Sequence, residues 1–414
     1  MEMKLGHGRG ELRFEVPDRN VLEVAHPKPV PPVGDATAAL RASMQRSLGV
    51  GIQDAIRKGD RVLLLTVDFT RPSPQPFLDF IDHEVTSLGA SLDIMVALGN
   101  HRKMSRRELI DHIGRADVLQ NDSSGAMWRL GETSFGTPIE VDERLAEYDR
   151  KMALGFVEPS YLLGFTGGRK ILMPGVASSR AIARNHFLLL REGKKLGVLH
   201  GNPLSDDALE FARAVGLDWI ADVVVNPDDS CAAIYCGDME QANEAACRDC
   251  REIYSYSFQD TADVVIVGCG GFPYDFDLVQ TKKGIVPAME CVKPGGVIIL
   301  VGACEDGWGG EAAVSRQALM EEQPARILDD LHAMFARGDC PWVSAPCSSR
   351  CLFSKAVSGL GCRLIAVTGI NDDLEKTFVD TAQSVQEALD MAQERVGSRA
   401  TVSIIPDGRR LIPV

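Results

Sequence analysis

No stretch of this 414-residue chain is apolar for long enough to cross a bilayer, which takes about 20 residues as a helix. An excess of positive charge is also lacking. Forty-four Lys and Arg face 58 Asp and Glu, a formal net charge of −14; this balance repels phosphate backbones and anionic lipid and disfavours nucleic acid and membrane surfaces as partners. Met1–Gly10 carry charge and glycine but no apolar run of the secretory kind, so a cytoplasmic location is expected. No disulfide framework is evident either: the eleven cysteines are odd in number and irregularly spaced in the second half, as reduced thiols are. Cys247 and Cys250 form a CxxC without the second pair of a zinc ribbon, inside a stretch, Glu240 to Glu252, that reads as helix. Internal repeats and low-complexity tracts are absent as well.

What is present is an α/β pattern. Short β-branched runs, each followed by turn residues and a helical stretch, recur at Arg61–Val67, Ser91–Leu98, Val223–Val225, Ala262–Val267, Gly296–Val301 and Arg363–Thr368. Several are apolar throughout, as strands covered by helices on both faces should be, and this predicts parallel sheets. The length calls for two domains. A polar break between Tyr254 and Asp263 sets the expected boundary, giving domains over 1–260 and 261–399, with 400–414 assigned a return to the first. Pro27, Pro29, Pro31 and Pro32 mark an extended connector near the start.

Several strand ends carry chemistry. Gly268-Cys269-Gly270-Gly271-Phe272-Pro273 invites a dinucleotide reading, but the third glycine of GxGxxG falls at Pro273 and no acidic residue ends a following strand as required. Asp68-Phe69-Thr70-Arg71-Pro72 follows a strongly apolar strand, where open α/β sheets bind ligands; taken alone, a local Asp–Arg pair in a surface turn is the better explanation. His101 follows another strand, in Leu98-Gly99-Asn100-His101-Arg102-Lys103-Met104, with Ser105 capping the next helix; imidazoles titrate near neutral pH and serve as general bases. The densest group is Glu158-Pro159-Ser160-Tyr161-Leu162-Leu163-Gly164-Phe165-Thr166-Gly167-Gly168-Arg169-Lys170, then Met173-Pro174-Gly175. Paired glycines allow close backbone approach to a ligand, and the lysine after them suits a phosphate clamp or an amine nucleophile. Ile171 stands where a Walker loop needs a hydroxyl. Asn185-His186 closes a helical stretch, as core residue or ligand.

DFTRP, LGNHRKM, GFTGGRK with MPG, and NH, in this order, resemble the nickel-dependent lactate racemase family from about Asp60 through Lys293. The resemblance implies an α/β protein of two domains, each with a largely parallel sheet flanked by helices, and an active site in the cleft between them. It implies a nickel-pincer nucleotide, nickel pyridinium-3,5-bisthiocarboxylic acid mononucleotide, supplied by cofactor-synthesis enzymes and bonded to Lys170. His186 then matches the protein ligand to nickel, with Asp68, Thr70, Arg71, Gly167 and Gly168 around the cofactor. Arg71, Gln280 and Lys283 match the residues that hold a small 2-hydroxy acid, and His101 matches a catalytic base.

In that family a second histidine serves the opposite stereoisomer; here the position is Ser160, which implies a substrate larger or more polar than lactate and a second base from elsewhere, such as Tyr161 or a water. The activity implied is racemisation or epimerisation by reversible hydride transfer through a planar 2-keto acid. An NAD-dependent 2-hydroxy acid dehydrogenase and a cofactor-binding relative without racemase activity are the alternatives.

Overall fold

The computed structural model describes residues 1–309, 319–320, 323–339 and 344–414. Chain contacts divide it into two units, 28–253 and 1–27 with 254–414. Each is built around a six-stranded sheet.

In the unit 28–253 the strand order is Cys231–Gly237, Trp219–Val225, Arg150–Val157, Arg61–Val67, Ser91–Ala97, Leu119–Gln120. All neighbours are parallel except the first pair. The apolar runs are apolar because both faces are covered: Val62 to Leu65 and Trp219 to Val225 are buried throughout, and Val62, Leu64, Ala221 and Val223 share one core with Phe77, Leu78, Ile81 and Val85 of helix Gln75–Ser87. Helix Arg106–Ile113 begins on a capping box, with Glu108 N–H donating to Ser105 Oγ and Ser105 N–H donating to the Glu108 carboxylate. This fixes where the loop after Ser91–Ala97 ends.

In the other unit the order is Asp380–Thr381, Arg363–Thr368, Val292–Gly302, Ala262–Val267, Val402–Ile405, Val21–Val24, all parallel. The expected strands are therefore found, but two placements are corrected. The last strand does not return to the amino-terminal domain: Val402–Ile405 is wedged between Ala262–Val267 and Val21–Val24. Residues 1–27, read as part of a domain over 1–260, complete this second sheet instead. The reason is burial. Val402, Ile404 and Ile405 are at most 1% exposed, which they achieve only with a strand on each side. No helix among the described residues is long and apolar enough to cross a membrane.

Candidate active site

Strands Arg61–Val67 and Arg150–Val157 are neighbours, yet from Arg61–Val67 the chain crosses to pair with Ser91–Ala97 on the other side. Such a switch in direction opens a crevice at the carboxyl ends of the strands. Asp68–Arg71 leave the first of these strands, Glu158–Ser160 the second and His101 the third.

Asp68 is buried. Its Oδ1 accepts from Thr70 Oγ at 2.6 Å and Thr70 N at 3.1 Å, and its Oδ2 lies 2.6 Å from His101 Nδ1. Burial alone would raise its pKa; His101, Thr70 and Arg71 outweigh burial and hold the carboxyl well below the usual range. An ionised Asp68 can only accept, so the proton in this contact sits on His101 Nδ1. Arg71 Nη1 donates to the Thr70 carbonyl at 2.6 Å, and its Nε lies 3.2 Å from Oε2 of the buried Glu158. Two of the guanidinium nitrogens are thus engaged within the protein.

Two residues beyond Glu158, Ser160 Oγ accepts from Lys170 Nζ at 3.1 Å. Lys170 follows a tight turn in which Gly167 and Gly168 have φ of +78° and +46°, conformations costly for other residues. A Cβ on Gly167 would fall 2.7 Å from Asp222 Oδ1, and one on Gly168 2.5 Å from Asn243 Cγ. The protein beneath these glycines thus leaves no room for a side chain at either position. Asp222 is 1% exposed; its Oδ1 accepts from Gly168 N at 3.2 Å and its Oδ2 from Asn243 Nδ2 at 2.7 Å. Burial pushes its pKa up to about 6, against the opposing pull of these bonds and of Arg169.

The remaining pieces are tied in by short bonds. Gly99 N donates to Gly175 O at 2.8 Å, Gly175 N to Lys170 O at 3.2 Å, and Ser179 Oγ to Asn100 Oδ1 at 3.0 Å. The His101 loop is thereby joined to both the Lys170 turn and helix Ser179–Phe187, which carries His186. Among the described residues no three His, Cys, Asp or Glu side chains converge to hold a metal. His186 offers an imidazole nitrogen to a metal and Lys170 an amine able to bond an organic group, a donor set that fits the implied cofactor.

In the other unit Gln280 is buried and accepts from Lys283 Nζ. The glycine loop at 268–273 is filled by the chain itself: Phe272 N donates to Gly8 O at 2.7 Å, and a Cβ on Gly6 would fall 2.7 Å from the Gly270 carbonyl. The amino-terminal hairpin, Glu2–His7 with Gly10–Glu15, lies against the loop's backbone where a dinucleotide reading would put the pyrophosphate. Cys247 and Cys250 are buried thiols on helix Met239–Tyr254, and burial raises the pKa of Cys247 well above the thiol range; Cys340 and the side chain of Cys347 lie outside the described residues. Sequence reasoning gave no role to Glu158, Asp222 or Asn243. Only Asp222 left a signal, as the one charged residue in the apolar run Trp219–Val225.

The family models for the lactate racemase N-terminal and C-terminal domains match residues 7–197 and 258–412. A lactate racemase of Thermoanaerobacterium thermosaccharolyticum is 27% identical over 434 residues, covering 99% of this chain and 98% of its own. One from Lactiplantibacillus plantarum is 28% identical over 379 residues, 87% of each. The structure of the lactate racemase apoprotein from the former organism matches with a TM-score of 0.88 at 26% identity over the whole of both chains. A Thermotoga maritima crystal structure shares the fold at a TM-score of 0.70 and 16% identity, covering 92% of this chain and 99% of that one. With both halves of one family matched in order along its length, the chain belongs to the lactate racemase family.

Proposed function

We propose that this chain, an isomerase by its family, inverts the configuration at C2 of a 2-hydroxy acid with a nickel-pincer nucleotide bonded to Lys170 and His186 as the protein's ligand to nickel. The observation that carries this reading is the Asp68–His101 contact of 2.6 Å beside the Lys170 segment. When bound, the group supplies reversible acceptance of hydride from C2, so that a planar 2-keto acid lies between the two stereoisomers. His101 takes the hydroxyl proton on Nε2 and returns it, while Asp68 holds the ring in the right tautomer and stabilises the imidazolium that forms. Arg71, steadied by Glu158, meets the substrate carboxylate through Nη2, and Gln280 and Lys283 are the proposed substrate-binding pair of the other unit. Thr70 fixes the Asp68 carboxylate.

Ser160 is the point of departure. Its hydroxyl faces Lys170 Nζ, a neutral partner of small volume where the family places a histidine. The space this leaves suits a substrate larger or more polar than lactate, such as a sugar acid. The test is turnover of a panel of 2-hydroxy acids by protein produced together with the cofactor-synthesis enzymes. A larger, hydroxylated acid should turn over fastest, and Ser160→His should lower that rate. Lactate outrunning every larger acid would overturn the substrate assignment, and no turnover of any acid would favour a cofactor-binding relative.

A further inference from the structure

His186 Nδ1 lies 3.1 Å from the side-chain oxygen of its neighbour Asn185. Neither an imidazole tautomer nor the orientation of an amide is visible from heavy atoms alone, but hydrogen-bond partners can dictate both. Asn185 is completely buried. Its Nδ2 sits 3.0 Å from the Leu204 carbonyl and 2.7 Å from Asp207 Oδ2. A carbonyl can only accept. Asp207, also completely buried, in turn receives Thr133 Oγ at 2.5 Å and Thr137 Oγ at 2.8 Å.

Turning the Asn185 amide over would set its oxygen against the Leu204 and Asp207 oxygens and leave buried polar groups without partners. The amide oxygen must therefore face His186. Because that oxygen only accepts, His186 Nδ1 must be a protonated nitrogen, and in the neutral ring Nε2 then carries the lone pair. We infer that Asp207, with Thr133 and Thr137, acts through Asn185 to hold His186 as its Nδ1–H tautomer with Nε2 prepared for a metal. Asp207 and Asn185 are positioning residues. They come from helices Pro203–Val215 and Ser179–Phe187, and the threonines flank the turn joining strands Met127–Glu132 and Pro138–Asp142. A ligand histidine is generally oriented in this way by a partner on its other nitrogen. The inference rests on the reading of His186 as the nickel ligand only for its purpose, not for the tautomer itself.

The experiment is a long-range proton–nitrogen correlation spectrum of cofactor-free full-length protein labelled with 15N-histidine, the His186 signals being those lost in His186→Gln. A protonated Nδ1 and an unprotonated Nε2 are expected, and Asn185→Ala should shift His186 toward the Nε2–H form. In loaded protein, Asn185→Ala and Asp207→Asn should speed nickel loss to a chelator about 10–100-fold, the usual effect of removing such a partner. An Nε2–H tautomer in the wild type overturns the inference, and that spectrum decides it even if a variant folds poorly. The expected tautomer combined with nickel loss unchanged in His186→Ala would refute the ligand reading alone.

Discussion

Asp222, the carboxylate under the Lys170 turn, has a burial penalty that can be read as a slope of stability against pH. Its pKa is raised from 3.8 to about 6, which corresponds to about 3 kcal/mol at 1.36 kcal/mol per unit. The sign follows from the raised value. The protonated form is favoured by the fold, so the contribution is complete below the unfolded pKa and is lost as pH rises through 6. Asp222→Asn removes the titration while keeping the shape. Its amide oxygen can still accept from Gly168 N, but Asn243 must turn its own oxygen toward the new amide and give up the 3.4 Å contact of its Nδ2 with the Thr166 carbonyl. That rearrangement costs about 0.5–1.5 kcal/mol and does not vary with pH. Across pH 5 to 7.5 the wild type should therefore lose about 1.4 kcal/mol relative to the variant. The charged or titratable groups around Asp222 are Arg169, Cys236 and Cys247. Burial pushes Cys236 up to about 12 and Cys247 well above the thiol range, so neither thiol titrates in this interval. Urea unfolding of both proteins at several pH values, followed by the fluorescence of tryptophans that include the fully buried Trp219 on the same strand, measures the difference. A gap that stays flat with pH, or that widens toward acid in the variant's favour, would refute the reasoning.

Lys170→Ala should abolish the covalent adduct in the intact mass of protein made with the cofactor-synthesis enzymes; an adduct of the same mass in the variant sinks the assignment. In the loaded enzyme, Asp68→Asn and His101→Ala should each lower kcat by about 10²–10⁴-fold, and the double variant should be little worse than His101→Ala, because the two residues act as one unit. Arg71→Lys should raise KM about 10-fold or more, since an ammonium cannot keep Glu158 on one side and a carboxylate on the other; equal KM values in steady-state assays would exclude Arg71 from substrate binding.

The sequence by itself determined the α/β class, the positions of the most apolar strands, though not of Arg150–Val157 at the site, and the order of the motifs, because these are local properties. An apolar run such as Arg61–Val67 needs two covered faces wherever it lies, and a residue such as His101 or Asp68 just beyond a strand falls at the ligand end of a parallel sheet. The same holds for Ser105, whose capping role depends on residues three positions away. Pairing across the chain was not legible. Nothing in Val21–Val24 or Val402–Ile405 names its partner, and only tertiary structure decided that they share one sheet, since long-range register is selected by the burial available to both. The networks beneath the site were hidden for the same reason. Glu158 meets Arg71, Asp222 meets Gly168, and Asp207 meets Asn185 over separations of 87, 54 and 22 residues. Each is a buried polar group whose desolvation must be offset by a particular partner, and which partner stands within reach is settled only when the chain has folded.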